Sequence, residues 1–192
     1  MTYSSELRDL EIVLDALGRG AWGVAPPAYG LFGHSLGGAV CLLRAAHDER
    51  VRALVTWAAV SRFGGLWRAD QVEEWRRTGK LEVVNQRTGQ VLPLSTDILD
   101  DLEANGETTL DLGCAAGEAQ VPWLIVHGAD DESVPVEAGR ELHRAARAGT
   151  AELMLIEGAG HTFNVKHPWT GSTPELERVV QATVSWFGRH LV

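Results

Sequence analysis

The chain has 192 residues, 45% of them hydrophobic and 22% charged, with a formal charge of −9. A domain of that length buries roughly 70% of the surface its unfolded chain exposes, enough for one proper core, and the composition is that of an ordinary globular protein. The acidic balance argues against nucleic acid, whose binders need a basic surface to displace phosphate counterions, and against a polybasic membrane patch.

Cys41 and Cys114 form no CxxC pair and stand at no metal spacing from a histidine, so no disulfide framework, metal site or other cofactor is expected. Cys41 falls in an apolar helical stretch and reads as a small buried hydrophobe. The first residues, Met1 to Glu6, lack the basic and apolar regions of a secretory signal. No apolar run approaches the ~20 residues that span a bilayer, and the expectation is a cytoplasmic protein with no membrane partner.

In chain order, the first predicted element is an amphipathic helix over Glu6–Leu17. Leu7, Leu10, Val13, Leu14 and Leu17 recur on one face, with Ser5 placed to cap and Gly18 to stop it. Pro26-Pro27 then breaks the chain before a short strand, Tyr29–Gly33, which leads into a helix from Leu36 to about His47. Val51–Val60 is a continuous apolar run, as expected of a strand covered on both faces. From Ser61 to about Gln120 the periodicity loosens. A helix over Asp70–Arg77, a hairpin of Leu81–Asn85 and Val91–Leu94 turning through Gln86–Gln90, and a short helix over Thr96–Ala104 are expected there. Regular order returns with strand Trp123–His127, helix Val136–Ala148, strand Glu152–Ile156 and helix Pro174–Leu191, the last with Thr173 as N-cap and Pro174 at the first helical position.

Strands alternating with helices imply parallel pairing. The expected fold class is α/β in one domain, residues 1–192, with a cap-like insertion at 61–120 between the second and third strands. Ligands and chemistry in such sheets gather at the carboxyl ends of the strands. Three motifs fall there.

The sharpest is Gly33-His34-Ser35-Leu36-Gly37-Gly38, a G-x-S-x-G segment between a strand and a helix. A serine on a sharp strand-to-helix turn exposes its hydroxyl, and the reading requires glycine on either side because side chains there would meet neighbouring backbone. The Leu36 N–H, at the start of the following helix, is a natural oxyanion donor. A serine needs a base to take its proton. Of seven histidines, His161 follows the last strand in a glycine-bearing loop and is the candidate. His34 is tied to the serine turn, His47 and His143 lie on predicted helices, His190 lies near the C-terminus, and His127 ends a strand beside Gly128. His167 is the nearest competitor. A carboxylate must then orient the imidazole. Asp130, Asp131 and Glu132 all follow the strand Trp123–His127, where an acidic cluster also suits the start of the next helix.

Three segments together resemble the α/β-hydrolase superfamily, particularly bacterial serine esterases and dienelactone-hydrolase-like proteins: GHSLGG at Gly33–Gly38, HGADDESVP at His127–Pro135, and GAGHTF at Gly158–Phe163. The resemblance implies a Ser…Asp…His order, and the HG-x-x-D-x-x-VP form of the middle segment places the acid at Asp131. It implies that the 61–120 insertion occupies the cap position, where Trp67 and Trp75 could line an acyl pocket, packing being the expected role for each. It also implies further strands before the serine turn, and a second oxyanion donor from an HG-containing loop upstream. No HG pair precedes Gly33. The chain therefore resembles the C-terminal portion of the fold, with an exposed first strand that a homo-oligomer, most simply a two-fold dimer, would cover. Turnover is expected to be weakened by the on the order of 10²–10³ that one oxyanion donor contributes.

The function expected is hydrolysis of small carboxylic esters by Ser35, His161 and Asp131, with the Leu36 N–H at the oxyanion. The alternative is a non-catalytic, shortened member of the superfamily acting as an oligomerising or binding module.

Overall fold

The computed structural model describes residues 1–85 and 88–191. Helix α1 (Tyr3–Gly18) precedes strand β1 (Tyr29–His34), helix α2 (Leu36–His47) and strand β2 (Val51–Trp57). Helix α3 (Ala69–Thr78), the strands β3 (Lys80–Val84) and β4 (Val91–Ser95), and helices α4 (Asp97–Asn105) and α5 (Leu112–Glu118) follow. Strand β5 (Trp123–Gly128), helix α6 (Glu137–Ala145), strand β6 (Ala151–Ile156) and helix α7 (Pro174–His190) complete the chain.

The main sheet has the order β1-β2-β5-β6 with every pair parallel. Its central strands alternate between two apolar layers. Leu54, Trp123 and Ile125 face one core with α1 and α2, while Ala53, Val55, Leu124 and Val126 face a smaller core with Val179 and Trp186 of α7. Burial on both faces is why β2 and β5 read as unbroken apolar runs. The second core stops short of the sheet edge. Phe32 on β1 is 46% exposed, with Trp57 of β2 against it edge to face.

Several boundaries differ from the sequence reading for local reasons. Thr2, not Ser5, caps α1: the Thr2 hydroxyl accepts from the Ser5 N–H and the Ser5 side chain accepts from the Thr2 N–H, a reciprocal capping box. Strand β2 ends at Trp57 because Ala58 turns to φ 46°, leaving Ala58–Val60 as a buried loop. Helix α5 was not legible; it is short and Ala-rich, and it buries Leu112, Ala115 and Ala116 beside α2 and α6. Thr173 caps α7 as expected, its hydroxyl accepting from the Leu176 N–H. The hairpin β3–β4 pairs Leu81 with Leu94 and Val84 with Val91, and positions 86 and 87 of its expected turn lie outside the described residues. Trp75 is fully buried and donates its indole N–H to the Leu94 carbonyl at 3.0 Å, so it ties β4 to α3 rather than lining a pocket. Trp67 packs edge to face against it. Among the described residues no helix is long and apolar enough to cross a membrane.

Candidate active site

The carboxyl ends of β1, β5 and β6 carry the three motifs, and parallel pairing brings those ends to one side of the sheet. Ser35 sits between β1 and α2 at φ 55°, ψ −124°, a left-handed conformation that costs a non-glycine residue about 1–3 kcal/mol. Its N–H donates to the Trp57 carbonyl at 2.8 Å, and its carbonyl accepts from Gly38 at 3.0 Å, so neighbouring backbone holds the strained turn. A Cβ on Gly33 would stand 2.3 Å from the Gly37 oxygen, and one on Gly38 would stand 2.8 Å from the Ala59 Cβ. Gly37, by contrast, faces open space. Glycine is thus needed on both sides of the serine, at Gly33 before it and Gly38 after it, while Gly37 of the G-x-S-x-G pattern has no such need. Leu36 opens α2, where the first N–H groups have no intrahelical acceptor.

Asp131 is the acid that the fold buries; Asp130 and Glu132 on either side are exposed. Its Oδ1 accepts from the Ser133 and Val134 N–H groups, each at 2.9 Å, and its Oδ2 lies 2.8 Å from His161 Nδ1. The acidic cluster does not cap the next helix. Val136 occupies that cap, with Glu137 in the first turn, because the Asp131 side chain is consumed by its own turn. A carboxylate only accepts, so Nδ1 carries the proton and Nε2 of His161 is left as a lone-pair acceptor, the form a general base requires.

His161 lies in the loop after β6, and its side chain is 21% exposed. Phe163 and Asn164 both take positive φ, which buries the Phe163 ring against Trp57. The Asn164 amide donates to the Gly158 carbonyl at 2.8 Å and accepts from the Gly160 N–H at 3.2 Å, closing the loop on itself. The Thr173 hydroxyl donates to the Phe163 carbonyl at 2.6 Å while capping α7. His167, the competitor, is exposed, and Asp131 pairs with His161.

Sequence reasoning missed three supporting residues. His34 Nε2 lies 2.9 Å from the His161 carbonyl, and the two rings stand 4.6 Å apart. His127 is wholly buried; its Nε2–H meets the Val134 carbonyl at 2.9 Å and lies 3.5 Å from Asp131 Oδ2. Burial holds both rings below the ordinary histidine pKa. Gly128 lets the histidine loop approach, since a Cβ there would stand 2.3 Å from the Ala159 oxygen. The available signals were adjacency to the serine and a glycine directly after an apolar strand. Elsewhere, burial pushes the Cys41 thiol up to about 11, so it stays protonated and unreactive.

A parallel sheet with a strained serine turn at one strand end and an Asp–His pair at two others defines an α/β hydrolase. The sequence profile described as "Alpha/beta hydrolase family" matches residues 1–171, and the chain belongs to that family. An Escherichia coli uncharacterized 31.7 kDa protein encoded between traX and finO is 29% identical over 192 residues, an alignment covering 84% of this chain and 65% of that protein. A Yersinia pestis protein provisionally named a carboxymethylenebutenolidase is 26% identical over 160 residues, covering 82% of this chain and 45% of that one. Among solved structures, the esterase domain of a Rhodothermus marinus protein superposes with a TM-score of 0.68 at 21% identity, over 97% of this chain and 70% of that chain. The chain thus spans about two thirds or less of these curated relatives.

Proposed function

We propose that the protein is a serine esterase acting on small carboxylic esters. The observation that carries this reading is the 2.8 Å contact of His161 Nδ1 with the buried Asp131, which leaves the other imidazole nitrogen as base at the strand ends where the half-buried Ser35 makes its turn. Ser35 Oγ attacks the ester carbonyl while His161 Nε2 takes its proton. Asp131 steadies the imidazolium without itself taking the proton. The Leu36 N–H donates to the oxyanion of the tetrahedral intermediate. That intermediate collapses as His161 protonates the departing alcohol, leaving an acyl-Ser35. Water, deprotonated by the same nitrogen, then releases the acid. The acyl group is expected to face the 61–120 segment, read as a cap. The half-exposed Phe32 on the open edge of β1 supports the expected pairing of two chains.

The test is hydrolysis of a short-chain p-nitrophenyl ester by the wild-type protein and by Ser35→Ala. Turnover that vanishes in the variant supports the reading. A folded wild-type protein no faster than the variant would leave the site without function and favour a binding role.

A further inference from the structure

We infer that His34, the residue immediately before the proposed nucleophile, is a positioning residue for the base: it restrains His161 through a main-chain hydrogen bond and a ring contact. This rests on the serine-esterase reading of the same site.

The His161 loop closes on itself through Asn164, but those bonds fix its shape and not its placement. Asp131 restrains one ring nitrogen of His161 and still permits the ring to swing about that bond. The Asp130 N–H to Ala159 carbonyl bond seats the loop from the β5 end, and His34 restrains His161 itself from the β1 end. A carbonyl oxygen only accepts, so the 2.9 Å contact with the His161 oxygen assigns the proton to His34 Nε2. The two rings lie at 4.6 Å and 46°, so the same side chain touches both the backbone and the imidazole of the base. His34 is itself held in register at the end of β1, opposite Trp57, and Ser35 is hydrogen-bonded to that same Trp57. Nucleophile and base are thus referenced to one rigid strand end. The burial that favours a neutral His34 ring keeps a second positive charge away from the imidazolium that forms on His161.

Glutamine and leucine separate the donor from mere bulk. The amide nitrogen of Gln reaches about as far as Nε2 of His and can still donate to the His161 carbonyl, while Leu fills similar space and donates nothing. A base misplaced by about 1 Å costs on the order of 10²-fold, so His34→Leu should lower kcat roughly 30- to 100-fold with KM within about twofold, and His34→Gln should recover most of it. A second readout is independent of turnover: the low-field NMR proton of the His161 Nδ1–H to Asp131 bond should be slow to exchange in wild type and His34→Gln, and lost to water exchange in His34→Leu. A kcat for His34→Leu within about threefold of wild type would overturn the inference. So would equal impairment in His34→Gln, or a proton that persists in His34→Leu. Should His34→Leu not fold, His34→Asn takes its place, its shorter amide leaving the carbonyl unmet. Absence of wild-type turnover would remove the esterase reading alone, and the proton measurement would still decide the role of His34.

Discussion

Replacing Gly128 by alanine probes how tightly the histidine loop is laid on the sheet. The added methyl would stand 2.3 Å from the Ala159 oxygen, 2.7 Å from the Gly160 oxygen and 2.9 Å from the Ala159 carbonyl carbon. All three are backbone atoms, so no rotamer change relieves the contact. Ordinary packing begins near 3.4 Å, and the loop must retreat by about 1 Å. The hydrogen bond from the Asp130 N–H to the Ala159 carbonyl, 3.0 Å long, resists that retreat, and overpacking of this kind costs about 1–3 kcal/mol. His161 follows Gly160 directly, so the base moves with the loop, and a displacement near 1 Å costs on the order of 10²-fold in rate. Gly128→Ala should therefore lower kcat for a p-nitrophenyl ester about 100-fold and reduce the urea-unfolding free energy by about 1–3 kcal/mol. A variant that retains kcat within about threefold would refute the claim that this glycine seats the loop.

Asp131→Asn should leave the fold nearly intact and lower kcat by on the order of 10⁴. The Ser133 and Val134 N–H groups oblige the amide to present its oxygen to them, so its NH₂ faces His161 Nδ1 and selects the tautomer that cannot accept the serine proton; near-normal kcat by steady-state assay would contradict that assignment. Gly37→Ala, in open space within α2, should be tolerated in activity and stabilise the protein by about 0.5–1 kcal/mol in urea. Burial holds both His34 and His127 below the ordinary histidine value of 6.5. As pH falls through 6.5 the unfolded chain takes up protons that these folded rings do not, so stability present above that pH is lost below it. The loss ends where the folded rings themselves charge. Urea midpoints should fall between pH 7 and 5 and fall less steeply in His34→Gln, where His127 alone remains; a pH-independent wild type would count against it.

Much of this was legible in the chain itself, because it rests on local chemistry. Apolar runs gave β2 and β5, and Thr173-Pro174 marked the start of α7, since capping and burial on both faces leave their mark within a few residues. The serine turn showed itself through the G-x-S-x-G pattern, although the glycines whose neighbours leave no room for a side chain are Gly33 and Gly38. The Asp131–His161 pair spans 30 positions, and its meeting followed from strand–helix alternation, which puts every strand's carboxyl end on one side. Helix α5 left little trace, because its small side chains are buried by α2 and α6 and not by any periodicity of its own. The three supporting residues of the site also stayed hidden. His34 meets His161 across 127 positions, His127 is silenced by burial beside the acid turn, and Gly128 is required by a loop that returns only after β6. Sequence determines which side chains can do the chemistry. Only the tertiary structure decides which neighbours hold them still, because those contacts join segments whose sequences constrain each other through space alone.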